Sequence, residues 1–194
     1  MSAIKARNRF SAIEPVVDDL IAVGYPNRSG IPTRQRLIAM SLESVRAFFA
    51  AKAPDITVIE SPASSATVAL AAEAYGVEPA RIAKTLSLRI GERVVLIVTS
   101  GTSRMDNKKV KALFGGKPKM LGLDEVADIT GHEVGGVCPF GLKTTLPVYC
   151  DVSLKTFDEV VPAAGSIHSA VRIAPSRMAE LVAAEWVDVC DDRR

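Results

Sequence analysis

The sequence predicts a mixed α+β domain in which a curved sheet is partly wrapped by short helices. Two observations carry that expectation. Short β-rich runs alternate irregularly with short helical stretches, and hydrophobic residues make up 48% of 194, enough for one sizeable core with an appendage. No repeat or low-complexity segment divides the chain. Charged residues make up 24% and the net charge is only +2, so a nucleic-acid partner has to be argued from where the charges lie. No apolar run is long enough to span a bilayer, and the first residues lack the long apolar segment of a secretory signal. Cys138, Cys150 and Cys190 are odd in number and lack metal-ligand spacing. The expectation is a cytoplasmic protein with no metal, no cofactor and no membrane partner.

Residues 1–39 read as an N-terminal extension, with one apolar-periodic piece from Ile13 to Val23 before Gly24, Pro26, Gly30 and Pro32 interrupt the pattern. A functional domain is expected over 40–194. It opens with Ser41 as an N-cap, followed by Leu42, Val45, Phe48 and Phe49 at helical spacing. Ile56 to Glu60 reads as a strand, Thr67 to Tyr75 as an Ala-rich helix stopped by Gly76, and Pro79 to Ala83 as a turn. Thr85 to Ile90 and Arg93 to Thr99 form a hairpin across Gly91-Glu92, the second strand almost wholly apolar and therefore central. Lys84 sits at its mouth.

Asp106 caps a helix from Asn107 to Phe114 that stops at Gly115, and Leu123 to Ile129 forms another. Beyond a glycine-rich stretch, Pro147 to Val152 and Ser169 to Ala174 read as strands, Pro175-Ser176 opens a last helix, and Trp186 to Val189 closes with a strand.

Two stretches carry chemistry. Gly131 to Pro147 holds four glycines and two prolines, the composition of a shaped loop. Its amides either grip a carbonyl or oxyanion or simply connect a helix to a strand. Arg104, Lys108, Lys109, Lys111, Lys117 and Lys119 place six basic residues within sixteen. They read either as a phosphate-facing patch or as a solvated helix face.

The order of Ala83-Lys84-Thr85-Leu86, the hairpin, Asp106-Asn107-Lys108-Lys109-Val110, Gly135-Gly136-Val137-Cys138-Pro139 and Gly165-Ser166-Ile167-His168 resembles the YbaK and prolyl-tRNA-synthetase-associated editing family. The resemblance runs from Met40 to about Val189. It implies a barrel-like, strongly curved mixed sheet and hydrolysis of the ester between a wrongly attached amino acid and the terminal ribose of tRNA.

Amides of Gly135, Gly136 and Val137 would then cradle the carbonyl, and Lys84 would bind and stabilise the substrate end electrostatically. The resemblance also implies a pocket for a small amino acid from Thr67, Val68 and Ala69 with Cys138, Pro139, Asp151, Ser166 and His168. Arg104, Lys108, Lys109 and Lys111 would face the tRNA. Asp151 reads either as a contact for the substrate ammonium or as a strand-terminating turn residue, and His132 reads as structural. Cys138 departs from the small residue, often serine, common before that proline. Aminoacyl-tRNA is the expected partner, with a synthetase as a second.

Two readings compete. One is a non-catalytic tRNA- or synthetase-binding module of the same fold. The other is a thiol hydrolase built on Cys138 with His132 or His168 as base, although nothing in the spacing pairs them.

Overall fold

The computed structural model describes residues 34–191, so the helix expected from Ile13 to Val23 lies outside the described residues. Helix α1 (Arg34–Lys52) passes straight through the expected start at Met40. Ser41 is therefore no N-cap; it is buried inside the helix, where its hydroxyl reaches other segments. Val45 and Phe49, four residues apart on one face, are buried against the sheet. The Phe49 ring lies 4.7 Å from that of Phe140.

Strand β1 (Ile59–Glu60) is shorter than expected and pairs antiparallel with β7 (Ser169–Ala170). Helix α2 (Val68–Tyr75) follows, with the Thr67 hydroxyl accepting from the Leu70 N–H and Gly76 closing it in the left-handed conformation. A 3-10 turn at Pro79–Arg81 leads into β2 (Ile82–Ile90), which pairs antiparallel with β3 (Arg93–Ser100). Residues Val95 to Ser100 are all buried, as the apolar run required.

Helix α3 (Asn107–Phe114) carries the expected Asp106 cap, whose Oδ1 accepts from Lys108 N–H at 2.7 Å. Next comes β4 (Pro118–Met120), a strand that the sequence did not announce because it begins with proline and carries Lys119. Helix α4 (Leu123–Thr130), β5 (Val148–Asp151), β6 (Val161–Pro162), the β7 strand, α5 (Pro175–Leu181) and β8 (Glu185–Val187) complete the order.

The main sheet runs β4-β2-β3-β5-β8, with β3–β5 and β5–β8 parallel. Among the described residues no ladder joins β8 back to β4 or β6, so the sheet is mixed but open rather than a closed barrel. The outer edge of β2 positions the site. Its far end pairs antiparallel with β4 from Leu88 to Ile90, and its near end pairs parallel with β6 at Ile82 and Ala83. Between them, Lys84 to Leu86 have no strand partner on that edge among the described residues.

Candidate active site

A cavity of about 350 Å³ opens beside this unpaired edge, between α2, β2, the start of α4 and the glycine loop. Lys84, Thr67, Val68, Gly135 and Val137 all line it. Small apolar residues, Ala66, Ala71, Ala163 and Ala170, form much of its wall beside the hydroxyl-bearing Tyr75, Thr85 and Ser87, and its mouth carries the exposed side chains of Met120, Leu123 and Val134.

Lys84 pairs in register with Thr99, and its ammonium donates to the carbonyls of Gly101 at 2.9 Å and Ser103 at 2.5 Å. Two of its three N–H donors are thereby spent, which fixes the head and leaves one donor for a ligand. Burial holds its pKa below the ordinary lysine value; Cys190 acts the other way, and the Arg104 cation adds to the depression. Arg104 thus places the start of the basic segment within electrostatic reach of the cavity's lysine.

The glycine loop is built by close approach. A Cβ on Gly136 would come within 2.6 Å of the Ser166 backbone, and Gly135 adopts a φ of +90° against Ala66 and Ile167. The Gly136 N–H is spent on the Glu133 carbonyl at 3.0 Å, and the Gly136 carbonyl accepts from Gly165 N–H. The structure therefore removes Gly136 from the set of available amides and makes it a packing and turn residue. The Gly135 and Val137 N–H groups form no hydrogen bond among the described residues.

The remaining sequence candidates lie off the cavity. Cys138 is wholly buried in the core beside Phe140, and burial pushes its thiol up to about 12. That is the opposite of an activated nucleophile. Pro139 is buried beside it. Asp151 is buried with both oxygens engaged: Oδ1 accepts from Ser153 N–H at 2.9 Å and Oδ2 from Val189 N–H at 2.8 Å. Of its two readings, these bonds are those of a cap that ties β5 to the chain beyond β8.

Ser166 is buried, its Oγ 2.9 Å from that of Ser169. His168 is exposed, with Nδ1 3.3 Å from the Ala63 carbonyl. His132 is fully buried between the Ser41 hydroxyl at 2.6 Å and the Phe140 carbonyl at 2.8 Å. Arg104, Lys108 and Lys111 are exposed, whereas Lys109 is drawn onto Asp188 and the Cys190 carbonyl, both at 2.7 Å. Sequence reasoning missed Gly101 and Ser103; their signal was the Thr99-Ser100-Gly101-Thr102-Ser103 run facing Lys84 across the hairpin.

Residues 62–181 match the aminoacyl-tRNA editing domain. The chain belongs to that family. It is 50% identical to the uncharacterised protein YwhH of Bacillus subtilis over 79% of this chain and 99% of that one. It is 29% identical to EbsC of Enterococcus faecalis, named as a candidate Cys-tRNA(Pro)/Cys-tRNA(Cys) deacylase, over 61% and 73% of the two chains. It is 27% identical to the proline–tRNA ligase of Bacillus licheniformis, over 78% of this chain but 26% of that enzyme. A solved structure described as a candidate trans-editing enzyme for prolyl-tRNA synthetase superposes with a TM-score of 0.73 at 32% identity, covering 78% of this chain and 97% of the other. Within the family match fall Lys84, the glycine loop and α3. Among the described residues no cluster of three His, Cys, Asp or Glu side chains is arranged to hold a metal, and no helix is long and apolar enough to cross a membrane.

Proposed function

We propose that this chain is a trans-acting aminoacyl-tRNA deacylase that hydrolyses the ester of a small amino acid wrongly attached to tRNA-Pro or a related tRNA. The observation that carries the reading is the meeting of Lys84 with two residues bearing unengaged amides, Gly135 and Val137, on one cavity of about 350 Å³. Membership of the editing family, and relatives named for deacylation and trans-editing, support it.

In this mechanism the aminoacyl group enters the cavity beneath the apolar mouth. The Gly135 and Val137 N–H groups donate to the carbonyl oxygen of the ester and stabilise the negative charge it gains when a water, positioned by the protein or by a substrate hydroxyl, adds to the carbonyl carbon. The C–O bond to the ribose breaks, and the proton released from water ends on the departing ribose oxygen. Lys84, held by two carbonyls, presents its remaining donor and its charge to the substrate end. No side-chain nucleophile is used. Arg104, Lys108 and Lys111 supply phosphate contacts that position the tRNA.

A second sieve of this kind is needed because a synthetic site cannot reject a smaller or isosteric amino acid by binding alone. The test is release of labelled amino acid from alanyl-, cysteinyl- and seryl-tRNA(Pro), and from seryl- and alanyl-tRNA(Thr), at substoichiometric protein. Multiple turnovers on at least one of them are expected. RNA binding with every ester left intact would overturn the reading in favour of a non-catalytic module.

A further inference from the structure

The cavity has an unusual floor for one with such apolar walls. Two of its lining residues, Thr85 and Ser87, carry buried side-chain hydroxyls with no hydrogen-bond partner among the described residues, and the Tyr75 phenol lines the same cavity. Tyr75 is 8% exposed and Ser87 3%. Buried hydroxyls are ordinarily paired, so two orphans side by side under one cavity point to a partner that arrives with a ligand. Thr85 and Ser87 stand two residues apart on β2, in register with Val98 and Leu96, and therefore share a face of the strand. Tyr75 comes from the last turn of α2. Its phenol lies near the Ser65 hydroxyl, which donates to the Ile167 carbonyl at 2.8 Å and keeps lone pairs to accept from the phenol, so Thr85 and Ser87 carry the argument.

We infer that this floor is a polar subsite for the side chain of the edited amino acid, selecting a small hydroxyl-bearing residue, serine or threonine, over alanine. The inference rests on the deacylase reading for the identity of the ligand. The orphan hydroxyls, placed among alanine-rich walls, set the chemistry of the side chain that the cavity takes. A substrate hydroxyl both donates and accepts, so it can pair with these groups as no methyl group can. A site built to hydrogen-bond a substrate hydroxyl rejects the analogue lacking it far more strongly than a purely apolar pocket discriminates by size. The α-ammonium and ester are common to all aminoacyl-tRNAs and cannot supply that discrimination.

The test uses tRNA(Pro) ending in 3′-amino-3′-deoxyadenosine, joined through a stable amide to serine or to alanine. Affinity is measured for the wild type, Thr85→Val and Ser87→Ala. The seryl form is expected to bind at least about tenfold more tightly to the wild type, with the preference falling to within about threefold in one or both variants. Because these hydroxyls bond no protein group among the described residues, both variants are expected to keep the wild-type melting temperature. Equal affinity for the two forms in the wild type, or a preference unchanged in both variants, would overturn the inference. Ester hydrolysis is read separately. Cleavage of both esters with equal binding sinks the subsite alone, and seryl preference without cleavage sinks the deacylase reading alone.

Discussion

Lys84 keeps its cation in a half-buried position by replacing water with the carbonyls of Gly101 and Ser103. His132 solves the opposite problem. Its ring is fully buried, and burial holds its pKa below the ordinary value while the bond to the Phe140 carbonyl opposes the shift. The unfolded chain therefore takes up a proton near pH 6.5 before the folded one does, and stability falls as pH drops below that point. Urea midpoints at pH 7.5 and 5.5 should show the wild type weakening on acidification and His132→Gln weakening less; an equal loss in both would contradict this origin. The structural role expected for His132 from its place before the glycine loop matches this burial. The buried environment of Cys138 was not legible, because a thiol among glycines reads equally well as exposed until Phe49 and Phe140 are seen to close over that part of the core.

At the scale of elements, the glycine loop and α3 make separate predictions. Gly136→Ala forces a Cβ into the Ser166 backbone, an overpacking that should cost about 1–3 kcal/mol and lower the melting temperature while disturbing the neighbouring Gly135 and Val137 amides. Gly135 and Gly136 were legible as shaped-loop residues; which of them kept a free N–H was not, since that depends on Glu133 closing the turn. On α3, Lys108→Glu and Lys111→Glu should weaken tRNA binding, and each neutralised contact should reduce the salt dependence by about one unit of slope. Lys109→Ala should cost stability rather than RNA affinity, because its ammonium is spent on Asp188 and the Cys190 carbonyl. Binding isotherms across a salt series and thermal melts separate the two effects.

Local signals carried much of this level. Asp106 and Gly115 bracket α3 where expected, and Thr67 and Gly76 bracket α2. Signals failed where tertiary contact overrides propensity. Ser41 has the chemistry of a cap but serves as a buried bridge, and β4 is a strand only because Leu88 to Ile90 offer it an edge.

For the molecule as a whole, the decisive feature is the interrupted edge of β2. With β4 at one end and β6 at the other, the strand exposes Lys84 and the residues after it to a cavity that α2 and the glycine loop close from the other sides. The mixed α+β class and the central β3 followed from periodicity, but the open edge did not, because it results from pairings between segments that are distant in sequence. In the proposed mechanism the Lys84 ammonium and the Gly135 and Val137 amides act together on an aminoacyl ester in that cavity. The most direct test is the single-turnover rate of amino-acid release from a mischarged tRNA by wild type and Lys84→Ala, with tRNA affinity and melting temperature measured alongside. The expected result is a loss of about 100- to 1000-fold in rate in a folded variant that still binds tRNA. A Lys84→Ala protein that cleaves the ester at the wild-type rate would contradict it.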